Sequence, residues 1–387
     1  MSFNFLSGIN ALGWGVFGYV IPFLFVLTLV VFFHELGHFL VARWCGVKVL
    51  TFSLGFGPEL FGFDDRHGTR WKVSAIPLGG YVKFFGDENA ASVPDQEAIA
   101  AMSEAERKLS FVHQKVGPRA AIVVAGPLAN FLLAIVIFAG LFMIYGKPNT
   151  SSARVDVIQA GSAAAQAGFQ AGDLVLSIDG RPVENFAEMQ RIVRVSAGQT
   201  LTIVVERAGQ QITLKAVPAL KEEKDTFGNI NRIGVLGISR SVAQDELRAE
   251  PVNPIAAVGL GIQQCWIIVE TTLSYIGRVA VQRESADQLG GPLMIAQVSG
   301  QVATLGVAAF MHFVAVLSVS IGLLNLFPVP LLDGGHLMFY AAEVLLGRPL
   351  SERAQEIGFR IGFVLVVALM IFATKNDIYR LWNLATS

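Results

Sequence analysis

Residues 17–41 read FGYVIPFLFVLTLVVFFHELGHFLV. No Asp, Glu, Lys or Arg occurs in residues 17–33, and roughly 20 apolar residues suffice to cross a bilayer as a helix. The run closes on His34-Glu35-Leu36-Gly37-His38. Helical positions i and i+4 share a face, so both imidazoles reach one ion with Glu35 beside them. Ionisable groups at membrane depth are costly and usually carry function. The stretch therefore predicts a spanning helix that holds part of a metal site.

Composition agrees with a membrane protein. Of 387 residues, 53% are hydrophobic and 15% charged, where soluble domains carry about a quarter charged residues. A net charge of −1 leaves no broad basic face, and no nucleic acid is expected as a partner. Cys45 and Cys265 stand far apart in apolar settings, which excludes a disulfide framework or a cysteine-rich metal cage. The first apolar run lacks a basic leader and a cleavage site, so it is expected to be retained.

Three more stretches are apolar enough to span, at residues 120–145, 305–327 and, slightly short, 357–373. Arg43, Lys48, Lys115, Arg119, Arg348 and Arg353 flank these runs on one side. The positive-inside tendency makes that side cytoplasmic and puts residues 146–301 and both termini outside. Residues 154–239 have soluble character, with strand-like runs at 153–158, 174–178, 201–206 and 211–217 and a helix near 184–195. Residues 255–281 carry a polar stripe of Gln263, Glu270, Ser274 and Arg278, which favours an amphipathic surface helix over a span. The acidic stretch 87–106 reads as a solvated connector. His67 and His113 are expected in polar connections, and His312 facing the helix bundle.

A catalytic zinc takes three protein ligands and keeps one position open. Cys45 lies about 10 Å beyond His38 on the same helix, too far for a shared ion. In NLFPVPLLDGGH at residues 325–336, Asp333 is the favoured third ligand, with His336 as competitor. The two glycines after Asp333 allow close backbone approach. Asp333 meets His34 at one face only if the first and third spans run parallel. That requires residues 255–281 not to cross. Two imidazoles and a carboxylate suit zinc, which activates water and polarises a carbonyl. Glu35 is then the base that takes the water proton and returns it to the leaving amine. Asn325 is placed to donate a hydrogen bond to the oxyanion or the substrate backbone.

These residues resemble the site-2 proteases, particularly the bacterial regulator-of-sigma-E type. The likeness rests on HELGH at 34–38, GPLAN at 126–130, a PDZ-like stretch at 153–183 and NLFPVPLLDGGH at 325–336. It implies zinc ligands His34, His38 and Asp333, catalytic base Glu35, an assisting Asn325, and an Asn130 that helps hold substrate. It also implies a bacterial inner membrane location, with the PDZ domain periplasmic or otherwise extracytoplasmic. Substrates would be transmembrane proteins such as anti-sigma factors already trimmed by another protease, and remnant signal peptides. Peptide C-termini would enter a PDZ groove bounded by the helix near 184–195 and a carboxylate-binding loop at Arg232-Ile233-Gly234-Val235. The best-known members carry two tandem PDZ domains, and this chain has room for one. Residues 70–85 read as two short strands around Pro77-Leu78-Gly79-Gly80, like the family's membrane-associated β-loop, whose edge would accept an unwound substrate.

The expected protein is thus an α-helical polytopic membrane protein with four transmembrane helices, an inserted α+β PDZ domain and a membrane-associated β-hairpin. Residues 1–145 hold the first two helices and the hairpin, 150–240 the PDZ domain, 255–281 the surface helix and 305–387 the last two helices. The competing reading is a catalytically silent membrane PDZ adaptor with a vestigial metal site. A retained Glu35 argues against it.

Overall fold

A computed structural model describes residues 5–86, 101–147, 152–224, 230–240, 250–281, 286 and 290–386. Residues 87–100 of the expected acidic connector lie outside the described residues. The chain divides into two compact units, Met1–Met143 with Asn253–Asp377, and Ile144–Val252 with Ile378–Ser387.

The first unit is built on apolar helices. Helix α1 spans Phe5–Trp44. It is followed by strands β1 (Val49–Asp64) and β2 (Arg70–Phe84), helix α2 (Glu104–Leu109) and helix α3 (Val116–Tyr145). Among the described residues, five helices are long and apolar enough to cross a membrane. They include α1 and α3, a helix at Pro254–Ala280, one at Val307–Asn325 and the last one. The Pro254–Ala280 helix has a mean hydropathy of 1.3 over its best window, against 2.2–2.5 for the others, so composition separates it only weakly.

The core between the helices shows their directions. Val26 and Val30 of α1, Leu133, Ala134 and Phe138 of α3, and Val314, Ala315 and Val319 are buried together. Phe310 meets Phe25 with ring centroids 6.0 Å apart, while Asp333 reaches His34. The Val307–Asn325 helix therefore runs parallel to α1. It runs antiparallel to α3, since His312 packs on Phe138 and Ser318 bonds to Asn130.

The expected hairpin at 70–85 is corrected. Its two halves do not pair with each other. The turn lies at residues 65–69, where Asp64 pairs with Arg70 and Phe61 with Val73. Both strands then bend, so that Phe52 pairs with Val82 on one side and Trp71 on the other, and Leu54 with Gly80 and Val73. Four segments result, in the order 61–64, 70–73, 51–54, 80–83. The bends fall at Gly55 (φ 87°) and Gly79 (φ 124°), conformations that residues with a Cβ rarely adopt. The residues around Pro77 mark a bend rather than a hairpin turn, which is why the local pattern misled.

This sheet is tied to α1. Phe52 stacks on Trp71 at 4.3 Å, and Phe39 of α1 meets Trp71 edge-on at 4.9 Å. Asp65 pairs with Arg43 at the end of α1 and accepts from the Trp71 indole at 3.2 Å and the Thr69 amide at 3.0 Å.

The second unit contains β3 (Val157–Ile158), α4 (Ala163–Gln166), β4 (Leu174–Ile178), β5 (Arg181–Pro182), α5 (Phe186–Arg194), β6 (Leu201–Arg207), β7 (Gln210–Ala216), β8 (Ala219–Lys224), β9 (Ile230–Val235) and β10 (Ile238–Ser239). One sheet has the order β5-β4-β6-β7, and β3 pairs with β10. Ile203, Val205, Val155, Val175 and Met189 fill its core. Asp173, fully buried, takes both Arg207 Nε at 2.7 Å and an Arg207 terminal nitrogen at 2.8 Å.

Two expectations change here. Residues 153–156 are not a strand apart from an isolated bridge between Arg154 and Leu174. The expected loop Arg232–Val235 lies in β9, where Gly234 pairs with Leu220 and Ile233 with Lys221. The chain turns later, at Gly237 (φ 76°).

The remaining helices of the first unit are α6 (Pro254–Ala280), α7 (Pro292–Thr304), α8 (Val307–Asn325) and α9 (Asp333–Leu346). The last helix, α10, spans Glu352–Thr386, well beyond the short run at 357–373 that hydropathy marks. Helices α7 and α9 are additions to the expected architecture.

Candidate metal centre

Helix α1 presents His34 and His38 one turn apart, with their Nε2 atoms 3.2 Å from each other. Asp333 opens α9 and brings Oδ2 to 3.2 Å of His34 Nε2 and Oδ1 to 3.6 Å of His38 Nε2. The three side chains are only 12%, 12% and 16% exposed. Four ligands at about 2.0–2.1 Å around tetrahedral zinc stand roughly 3.3 Å apart. The observed separations are close to that edge length, so this donor set fits such an ion.

Backbone geometry explains how Asp333 gets there. Leu331 has φ 105°, a strained value for a leucine. A Cβ on Gly334 would collide with the carbonyls of Leu326 and Phe327, and one on Gly335 with that of Val329. The segment 326–332 thus folds tightly over the start of α9. The Leu332 carbonyl accepts from Gly335 at 2.9 Å. Farther along α9, Glu343 pairs with Arg119 of α3 at 2.6 Å, and the Arg119 guanidinium lies over Tyr340 at 4.8 Å.

Helix α3 supplies no ligand, yet it touches both histidines. His38 donates from Nδ1 to the Ile122 carbonyl at 2.8 Å, which leaves its Nε2 lone pair free for a metal. Asn130 sets its amide nitrogen 3.3 Å from His34 Nδ1. Gly126 lies flat against the His38 ring, where any Cβ would overlap it. Gly37 of α1 similarly admits the backbone of Ala125. Small residues let membrane helices approach closely, and here they bring the wall of α3 onto the imidazoles.

Glu35 points to the same region. It lies within electrostatic reach of His34, His38 and Asp333, and the Val82 backbone N–H faces its carboxylate. A Cβ on Gly80 would stand 3.2 Å from Glu35 Cγ, so the outer strand segment 80–83 passes directly beside it.

Other candidates fall elsewhere. His336 does not join the ligand group and packs 5.4 Å from the Phe359 ring and 6.5 Å from Tyr340. Asn325 is the last residue of α8 and half-buried. Asn130, which the resemblance gives to substrate, is fully buried. Its contact with His34 was invisible in the sequence, although its place on the second span was the available signal.

Comparison with known proteins agrees with this geometry. The model of peptidase family M50 matches residues 22–369. A Rhizobium meliloti protein that bears the name of a zinc metalloprotease is 54% identical over 361 residues, covering 93% of this chain and 96% of its own. One of the same kind from Agrobacterium fabrum is 51% identical over 361 residues, with the same coverage. Metalloprotease MmpA of Caulobacter vibrioides is 39% identical over 384 residues, 93% of this chain and 95% of its own.

Proposed function

The chain belongs to peptidase family M50 and is a zinc metalloprotease of a membrane-protein kind, and from that premise we propose that it cuts peptide bonds in or near transmembrane segments of other proteins. The observation that carries the proposal is the meeting of His34 and His38 of α1 with Asp333 at the start of α9, with Glu35 beside them.

In this reading His34, His38 and Asp333 hold the zinc. An ion held there would supply Lewis-acid polarisation and lower the pKa of a water beside it. Glu35 removes a proton from the attacking water and delivers it to the departing amine nitrogen. Asn325 donates to the oxyanion or to the substrate backbone. Helix α3 keeps the imidazoles in register, and the close packing of α1, α3 and α8 limits access by bulk water.

A helical substrate hides its peptide groups in its own hydrogen bonds, so it has to unwind before hydrolysis. The segment 80–83 ends the sheet beside Glu35 and accepts the unwound chain as an added strand. Leu60, Phe61, Phe63, Ile76 and Leu78 are exposed on the same sheet, which supports its insertion into the lipid interface.

Four helices cross the membrane and α6 lies at its outer surface. The parallel course of α1 and α8 supports this count, because a lone extra crossing by α6 would reverse α8. The location is the bacterial inner membrane, with the second unit outside the cytoplasm. That unit acts as a single PDZ domain. A cleft of about 210 Å³ between α5 and residues 233–238, lined by Met189, Val193, Arg194, Lys221 and Leu236, takes peptide C-termini. The substrates are anti-sigma-factor-like membrane proteins, cut in regulated intramembrane proteolysis, and remnant signal peptides.

The test uses purified protein and a single-span model substrate, with and without chelator and with Glu35→Gln. Cleavage that needs both metal and Glu35 supports the proposal. Cleavage that survives chelation, or that Glu35→Gln leaves intact, contradicts it.

A further inference from the structure

The histidine ligands are oriented unequally. His38 Nδ1 has an unambiguous acceptor in the Ile122 carbonyl. Among the described residues, the partner of His34 Nδ1 is the Asn130 side chain, at 3.3 Å. A neutral imidazole that ligates through Nε2 carries its proton on Nδ1 and needs an acceptor there. An amide offers a donor at one end and an acceptor at the other. With Nδ2 toward the ring, Asn130 leaves its own Oδ1 buried without a partner. In that orientation His34 Nδ1 faces a donor rather than the acceptor a zinc ligand needs.

We infer that Asn130 is a positioning residue for the metal, whose Oδ1 accepts the Nδ1 proton of His34 after a half-turn of the amide. The residue is held for this task. It is fully buried, and Ser318 of α8 donates to its backbone carbonyl at 2.8 Å. Gly322 of α8 approaches its Cβ, where an added carbon would stand 3.1 Å away. Asn130 therefore has no free surface for substrate and one polar task, the ring of His34. With an ion held at Nε2, the His34 ring would donate from Nδ1 to Asn130 Oδ1.

This inference rests on the zinc site proposed above, and the experiment separates the two. Zinc affinity is measured by chelator competition on the full chain in detergent for the parent, Asn130→Asp and Asn130→Leu. Cobalt-loaded spectra are recorded for the parent and Asn130→Asp. Loss of a hydrogen-bond acceptor behind a ligating histidine weakens metal binding by about 10–100-fold. Asn130→Leu is expected to show that loss. Asn130→Asp, which can only accept, is expected to bind at least as tightly as the parent, with shifted cobalt d–d bands. Parent-like affinity in Asn130→Leu overturns the inference, as does a tenfold loss in Asn130→Asp. If Asn130→Leu does not fold, the cobalt spectrum of Asn130→Asp decides: a shift supports the contact and an unchanged spectrum overturns it. A parent that binds neither zinc nor cobalt contradicts the metal site itself.

Discussion

Gly126 of α3 lies so close to the His38 imidazole that one added carbon would overlap the ring. Alanine is the better helix former by about 1 kcal/mol, so a merely structural position would tolerate the exchange. Gly126→Ala is instead expected to push His38 off its place and weaken zinc binding at least about tenfold, as disturbed ligand orientation does. Zinc retention after gel filtration with a competing chelator checks this. Parent-like retention would mean that the ring has room to move.

Glu35 stands beside the ligands without being one of them. Removing a general base costs roughly 10²–10⁴ in rate. Glu35→Gln should therefore lose activity by that order and keep its zinc. Paired turnover and metal analysis on one preparation tests both halves, and loss of zinc with activity would reassign Glu35 to metal binding.

Asp65 anchors the sheet to α1. Burial pushes its carboxyl up, but the Thr69 and His67 amides, the Trp71 indole and Arg43 outweigh this and hold it down at about 2. Its pKa in the unfolded chain is about 3.9. A depressed folded value means that the stabilisation is fully present above about pH 4 and is lost as pH falls toward 2. Asp65→Asn should cost about 1.5–3 kcal/mol near neutral pH, the range for hydrogen bonds to a charged group. The variant should also lose less stability than the parent on acidification below pH 4. Thermal unfolding in detergent across that range measures both effects, and identical acid limbs would remove Asp65 from the account.

The outer segment 80–83 is the proposed substrate edge. Proline at Val82 removes a backbone donor beside Glu35. Val82→Pro is expected to reduce cleavage of a transmembrane substrate by tenfold or more with zinc retained. Unchanged cleavage would show that substrate does not add to this strand.

The grouping of His34, His38 and Asp333 was legible in the sequence for definite reasons. His34 and His38 belong to one helical turn, so their spacing alone reports a shared face. Asp333 is remote, and its place in NLFPVPLLDGGH before two glycines marks it; the parallel course of α1 and α8 follows from requiring one site for both ends. What stayed hidden depends on packing across distance. The contact of Asn130 with His34 needs the close approach of α3, which the glycines permit but do not announce. The folding of β1 and β2 into four segments arises from bends at Gly55 and Gly79, and a local reading took the residues near Pro77 for a turn. Helix α7 had a visible start in Gly290-Gly291-Pro292, since proline favours a first helical turn. Its mixed composition concealed the rest. Helix α9 was hidden because Asp333 reads as a ligand in an irregular loop, whereas it is the first residue of a helix.

The central claim is tested most directly by X-ray absorption at the zinc edge on purified protein. Two imidazole nitrogens and carboxylate or water oxygens at about 2.0–2.2 Å, with no sulfur shell, are expected for ligation by His34, His38 and Asp333. A sulfur shell near 2.3 Å, which would bring in Cys45 or Cys265, or parent-like zinc retention by Asp333→Ala against a competing chelator, would contradict it.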